Sequence, residues 1–232
     1  MNVVACLYWS GVFKNRENVY TTEWVYILRN MVERHMHTPF RFVCLTNVPN
    51  QFDGSVEIIP LQHDWKGWWG KLELFRSDIF DDGDRVLYLD LDSVVLQSLH
   101  PFFDFDADIA IMRSLDPKRF GTEWSKAGEN MIVRYGSTVM VWTVPHGRKF
   151  YTEFDYDEIV LKRKLRGDQD WMAACNPSLA LFPVEWVKKL RHIRYKNIRP
   201  KDVKILLPMD PGMPLKNKSA AEKYPWIHKA WK

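Results

Sequence analysis

A strand-length run of apolar residues in this chain stops on a pair of acids: Arg85-Val86-Leu87-Tyr88-Leu89-Asp90-Leu91-Asp92. Near-continuous apolar character, rather than alternation, predicts a strand buried on both faces, as in a parallel sheet. Open α/β sheets bind ligands just beyond the carboxyl ends of their strands. Residues i and i+2 of a strand point to one side, which places Asp90 and Asp92 together. Two neighbouring carboxylates repel unless a proton or a cation lies between them. A hard divalent ion, Mn²⁺ or Mg²⁺, meets that need and keeps sites open for phosphate oxygens. The competing reading is local: the acids belong to an Asp cluster that only caps the following turn.

The rest of the chain supplies a sheet for that strand. Val3–Tyr8, Phe40–Thr46 and Val56–Pro60 are β-branched or aromatic runs that predict strands. Val19–Met36 carries Trp24, Ile27, Leu28 and Met31 at helical spacing, with Thr21 or Thr22 and Glu23 at its start and Pro39 beyond its end. Gly67–Phe80 repeats the helical pattern through Trp68, Leu72, Phe75 and Ile79, and Asp81-Asp82-Gly83-Asp84 stops it. Further strands are expected at Asp108–Met112, Ser137–Thr143 and Val203–Leu207, and helices at Arg148–Lys164 and Asp168–Ala174. The order β-α-β-β-α-β predicts an α/β fold with a mainly parallel sheet flanked by helices. No repeat, linker or composition break divides residues 1–232, so a single domain is expected. The Pro- and Lys-rich tail 208–232 is expected to wrap the surface.

Composition removes several classes. With 46% hydrophobic and 27% charged residues, the chain can bury a core and is not intrinsically disordered. No apolar stretch is long enough for a transmembrane helix, and the first residues lack the basic start of a signal peptide. Cys6, Cys44 and Cys175 are too few and too scattered for a disulfide framework or a zinc site. Cytoplasmic location is the expectation.

Charge is uneven. Residues 78–108 hold nine Asp, no Glu and one Arg, whereas 186–232 hold thirteen Lys or Arg against three acids. The basic run Lys188, Lys189, Arg191, Arg194, Lys196, Arg199 and Lys201 could dock an anion or a membrane surface, though a solvated face is the commoner outcome. No zinc finger, phosphate-cradling loop or nucleic-acid module turns this charge into base recognition. Trp65, Trp68 and Trp69 could form a stacking wall for a sugar, but their helical spacing places Trp68 in the core.

Two enzyme classes place such an acid pair at a strand end. In phosphatases of the haloacid-dehalogenase kind, Asp90 would be the nucleophile and Asp92 a general acid. That motif normally opens its domain, however, and here about half a sheet precedes it. In nucleotide-sugar glycosyltransferases of the GT-A fold, the two acids hold a metal on the donor diphosphate. The chain resembles compact bacterial or phage-type GT-A glycosyltransferases of family 8, the glycogenin and galactosyltransferase kind. The likeness rests on Trp68-Trp69-Gly70-Lys71-Leu72-Glu73-Leu74-Phe75, Tyr88-Leu89-Asp90-Leu91-Asp92, Ser137-Thr138-Val139-Met140-Val141-Trp142 and Gly167-Asp168-Gln169-Asp170, in that order.

The resemblance implies transfer of a hexose from a UDP-sugar to a saccharide or other hydroxyl acceptor, with retention of configuration and with Mn²⁺ or Mg²⁺ on Asp90 and Asp92. It implies that Tyr8 and Trp9 lie near the base, that Lys71 and Leu91 contact the donor, and that Ser137 and Thr138 lie over the ribose or sugar. Asp168, Gln169 and Asp170 would lie under the transferred sugar and acceptor, with Asp170 the best candidate for a base. For Asp168 alone, capping of the following helix competes. The family often has a late His as third metal ligand, where this chain reads Asp210-Pro211-Gly212. Asp210 could supply an oxygen instead, or His228 a nitrogen, and Lys216 would meet the leaving diphosphate. A second departure is Gly136-Ser137-Thr138, where the family usually has Asn-Ser-Gly. Both departures keep open a chain that binds a nucleotide-sugar without turnover.

Overall fold

The computed structural model describes residues 1–17, 20–114, 135–163, 165, 167–176, 178–190, 193, 199–208 and 224–231. The chain begins with β1 (Asn2–Tyr8), a two-strand hairpin of β2 (Val12–Phe13) and β3 (Arg16–Glu17), and α1 (Thr22–His35). β4 (Arg41–Thr46) and β5 (Glu57–Pro60) follow, then a 3₁₀ segment, Gly67–Phe75, and β6 (Arg85–Leu89). β7 (Val94–Val95), α2 (His100–Phe103), β8 (Ile109–Arg113) and β9 (Tyr135–Thr143) complete the first two thirds. The remainder holds α3 (Lys149–Thr152), α4 (Asp168–Cys175), β10 (Ala180–Leu181), β11 (Val187–Lys189), β12 (Ile205–Leu207) and α5 (Pro225–Ala230).

Seven strands form the main sheet in the order β10-β8-β9-β6-β1-β4-β5. β6, β1, β4 and β5 run parallel, with Ala5 opposite Tyr88 and Cys6 opposite Cys44. β9 is antiparallel to both β6 and β8. The sheet is buried on both faces, and the two-residue period of β1 sorts its side chains between them. Val4, Cys6 and Tyr8 join one core, Val3, Ala5 and Leu7 the other. The first core is covered by α1 through Trp24, Val25, Leu28, Met31 and Val32. Burying each of these side chains stabilises the fold by roughly 1.5–3 kcal/mol. The second is covered by Trp69 and Leu72 of the 3₁₀ segment, Phe150 of α3, and Trp171 and Met172 of α4.

α1 begins where Thr21 is extended and its carbonyl accepts the Trp24 N–H. Glu23 in its first turn and Arg34 and His35 in its last suit the helix dipole. Beyond β6 the backbone changes sheet. The Asp90 N–H is held by the Thr138 carbonyl of β9 at 3.0 Å, and Ser93 closes a turn back on Asp90. β7 then pairs with β12 in a second, three-stranded sheet with β11. Asp90-Leu91-Asp92 therefore sits on the step between two sheets, fixed by both.

Three sequence expectations need correction. Gly67–Phe80 is not an α-helix: it is a 3₁₀ segment that ends at Phe75. Its three-residue period turns Trp68 outward to 36% exposure while Trp69 is buried, so Trp68 is not a core residue. Arg148–Lys164 is two short pieces, α3 and a π-helical turn at Asp157–Lys162, because the chain breaks after Thr152 and the Asp155 carboxylate caps the Glu158 N–H. At the end of the tail the described residues are anchored by their apolar side chains. Tyr224, Ile227 and Trp231 are buried in the first core, with Trp231 edge-on to Trp24 at 5.0 Å. Residues 209–223 lie outside the described residues.

Candidate functional site

The site grows from one buried cation. Lys71 projects from the 3₁₀ segment and is 2% exposed. Its ammonium lies 3.2 Å from Asp90 Oδ1 at the end of β6 and 3.2 Å from Asp168 Oδ2 at the start of α4. It also donates to the Ser137 carbonyl and hydroxyl on β9, each at 3.2 Å, and lies 4.8 Å above the Tyr88 ring. Burial lowers the affinity of Lys71 for its proton, but the charges of Asp168 and Asp90 outweigh it, so the ammonium is held above its ordinary range. The Tyr88 hydroxyl donates to Asp90 Oδ1 at 2.6 Å, and burial with the Asp90 charge raises its own pKa.

Asp92 has a different environment. Tyr20 hydrogen-bonds to its carboxylate. Burial, then the charge of Asp90, push the Asp92 carboxyl from 3.8 up to about 7. Tyr20 is raised by burial and by the same two carboxylates. The pair thus stores an electrostatic conflict that a proton relieves in part and a cation would relieve further.

A cavity of about 500 Å³ opens over this network. Lys71, Asp90, Ser137, Thr138, Asp168 and Gln169 line it. Gln169 folds back so that the Ser137 hydroxyl reaches its Oε1 at 3.4 Å. A Cβ at Gly167 would lie 2.7 Å from that amide, so a larger residue there would push the Gln169 side chain out of this position. Gly167 occupies the N-cap position of α4, so Asp168 is the first helical residue and not its cap. Asp170 is 1% exposed and lies off the cavity wall, with its N–H on the Gly167 carbonyl.

The structure therefore gathers Lys71, Asp90, Ser137, Thr138, Asp168 and Gln169. It does not bring the side chains of Tyr8, Trp9 or Leu91 to the cavity: Tyr8 and Leu91 are buried in the first core, and Trp9 in the second against Phe13. Asp210 and Lys216 lie outside the described residues. His228 is exposed on α5, and among the described residues no cluster of three His, Cys, Asp or Glu forms, so it does not join Asp90 and Asp92. Sequence reasoning missed Lys14 and Tyr135 on the cavity wall and misplaced Trp68. Lys189, also on the wall, had a signal in the basic run of the chain's last fifth.

Asp90 and Asp92 suit a hard cation in that both are oxygen donors and the charge of Asp90 bears on the Asp92 carboxyl, although only Asp90 lines the cavity. Both contacts to Asp90 fall on Oδ1, leaving the charge of Oδ2 for another partner. Two carboxylates alone would leave most positions of a Mn²⁺ or Mg²⁺ shell to phosphate oxygens or water.

The chain matches no protein-family model and no curated protein sequence. It is similar to solved structures of glycosyltransferases. One is galactosyltransferase LgtC in complex with donor and acceptor sugar analogs, at 18% identity and TM-score 0.65, covering 99% of this chain and 95% of that one. A second LgtC structure, an active-site mutant with glutamine changed to glutamate, has TM-score 0.61 at 16% identity and covers 99% of this chain and 96% of that one. GlyE of Streptococcus pneumoniae TIGR4 has TM-score 0.60 at 14% identity, covering 98% of this chain and 61% of GlyE. The fold is that of GT-A glycosyltransferases, an α/β sheet, mostly parallel and flanked by helices. Among the described residues no helix is long and apolar enough to cross a membrane.

Proposed function

We propose that this chain is a metal-dependent glycosyltransferase of the family 8 type that moves a hexose from a UDP-sugar to a saccharide or other hydroxyl acceptor. The observation that carries the reading is the cavity at the carboxyl end of β6, where one buried ammonium joins Asp90 and Asp168. Mn²⁺ or Mg²⁺, when bound by Asp90 and Asp92, supplies Lewis-acid charge for a departing diphosphate. Asp210 as a further oxygen ligand and Lys216 beside the diphosphate belong to the same proposal, on their place in the sequence. So do contacts of Tyr8, Trp9 and Leu91 with the donor, which would use backbone atoms.

The chain's own residues then have separable tasks. Lys71 fixes Asp90 and Asp168 in place, so neither carboxylate reorganises as charge develops nearby. Gln169 presents an amide to sugar hydroxyls from the cavity wall. Retention through a covalent sugar on a carboxylate would need a free nucleophile at the cavity. Asp168 is committed to Lys71, and Asp170 is buried off the wall. We therefore favour front-face substitution, with Asp170 kept only as the candidate base if one operates. LgtC has an active-site glutamine, which supports a role for Gln169.

The phosphatase reading fits the fold poorly, since β6 lies against antiparallel β9 and the similar solved structures are glycosyltransferases. We read the chain as one domain, cytoplasmic, without sequence-specific nucleic-acid binding and with membrane contact at most peripheral. The test is release of UDP from a panel of UDP-hexoses with Mn²⁺, first with water and then with simple saccharides as acceptor. Turnover that needs the metal supports the proposal. UDP binding with no turnover on any sugar favours the binding-only reading, and phosphate capture on Asp90 would favour the phosphatase.

A further inference from the structure

Two lysines on the cavity wall differ in what answers their charge. Lys71 is surrounded by two carboxylates and a hydroxyl. Lys14 is exposed and has no carboxylate partner among the described residues. Its ammonium lies over two aromatic rings, 4.4 Å from the centre of Trp68 and 5.4 Å from that of Phe13. Such contacts orient a cation without neutralising it.

The support under Lys14 is built. β2 and β3 pair with Phe13 opposite Arg16, so Lys14 and Asn15 are the two residues of a tight turn. Both have positive φ, 51° and 59°, the conformation that two-residue hairpin turns demand and that Asn or Gly adopts more easily than Lys. A lysine here is held against its own backbone preference. The hairpin is locked onto the 3₁₀ segment: the Phe13 ring meets Trp68 edge-on at 4.6 Å, and a Cβ on Gly67 would come within 2.6 Å of that ring. Trp68 and Lys71 stand three residues apart, which is one 3₁₀ turn, and both line the cavity. The hairpin thus carries an unanswered positive charge to within about one turn of the Asp90–Lys71 pair.

We propose that Lys14 is an anion-binding, specificity-determining residue that pairs with a phosphate group of the bound ligand, with the Trp68 face as its rest position. This rests on the nucleotide-sugar reading above. The phosphate could be the donor's diphosphate or a phosphate on the acceptor.

The experiment titrates UDP and uridine, each with Mn²⁺, into the parent, Lys14→Asn and Lys14→Arg, and then titrates a hexose phosphate into the UDP-loaded proteins. Lys14→Asn suits the left-handed turn, so the hairpin should keep its shape, and an unchanged thermal midpoint checks this. The expected result is UDP affinity about tenfold lower in Lys14→Asn, from loss of a charge-assisted contact, with uridine affinity unchanged and Lys14→Arg close to the parent. That assigns the donor's phosphate. Loss confined to the hexose phosphate assigns the acceptor's. Equal binding of all ligands by parent and Lys14→Asn overturns the inference while leaving the nucleotide-sugar reading intact. Absence of UDP binding by the parent would instead remove that reading.

Discussion

Before β6, three of the acids are answered by full cations, two by arginine and Asp84 chiefly by the N-terminal ammonium at 2.8 Å. Asp78 meets Arg76 at 2.8 Å, Asp82 meets Arg148 at 2.7 Å, and Asp84 lies 3.6 Å from Arg41 while also accepting the Asp81 N–H. After β6 the same residue type is treated differently. Asp90 shares a single lysine with Asp168, and Asp92 has a tyrosine and an upward-shifted carboxyl. The two ends lie in one run of nine Asp, and composition cannot tell them apart. The first end spends its charge on local capping, where pairs are partly exposed and worth little. The second sets two carboxylates on one ammonium beside a cavity, an excess of negative charge that costs stability and that a cation would offset. Three substitutions separate the two ends.

The largest effect is expected at Lys71. Lys71→Met strands Asp90 and Asp168 without their buried counter-charge, and should cost about 3–5 kcal/mol. Urea unfolding measures it, and a loss near zero would show that the network does not hold the site together.

Asp92 comes next. A carboxyl raised from 3.8 to about 7 contributes stability that is complete below about pH 4 and is lost as pH rises through about 7. The metal-free thermal midpoint should therefore drop by about 3 °C or more between pH 5 and pH 8. Asp92→Asn should flatten that slope, and saturating Mn²⁺ with UDP should reverse it, because the ion replaces the proton. An unchanged slope in Asp92→Asn would assign the titration elsewhere.

The smallest effect belongs to the first end. Asp82→Asn breaks an exposed pair with Arg148 and should change stability by less than about 0.5 kcal/mol. Mn²⁺ affinity should not move at all. If it did, the contrast between the ends would fail.

The acid end of β6 was readable because burial on both faces leaves an unmistakable apolar run, and Asp90 and Asp92 break it at a fixed spacing. The parallel sheet and α1 were readable for the same reason, since their periods are local. The wall of the cavity was much less so. Whether Trp68 or Trp69 faces inward depends on a 3₁₀ rather than an α period, which the sequence does not distinguish over one or two turns. Lys14 reaches the cavity only because a hairpin more than fifty residues upstream rests on Trp68. The tail hid its anchor similarly: Trp231 is buried by Trp24, a contact no local pattern announces. Asp170 is the converse case, a polar residue of the motif that the fold places off the cavity wall.

The central claim is that Asp90 and Asp92 form a cation site completed by a nucleoside diphosphate. Electron paramagnetic resonance of Mn²⁺ titrated into the protein with and without UDP tests it directly. The account predicts that the free-ion signal falls when parent protein and UDP are both present, and that Asp92→Asn restores it. Equal Mn²⁺ uptake by parent and Asp92→Asn would contradict the account.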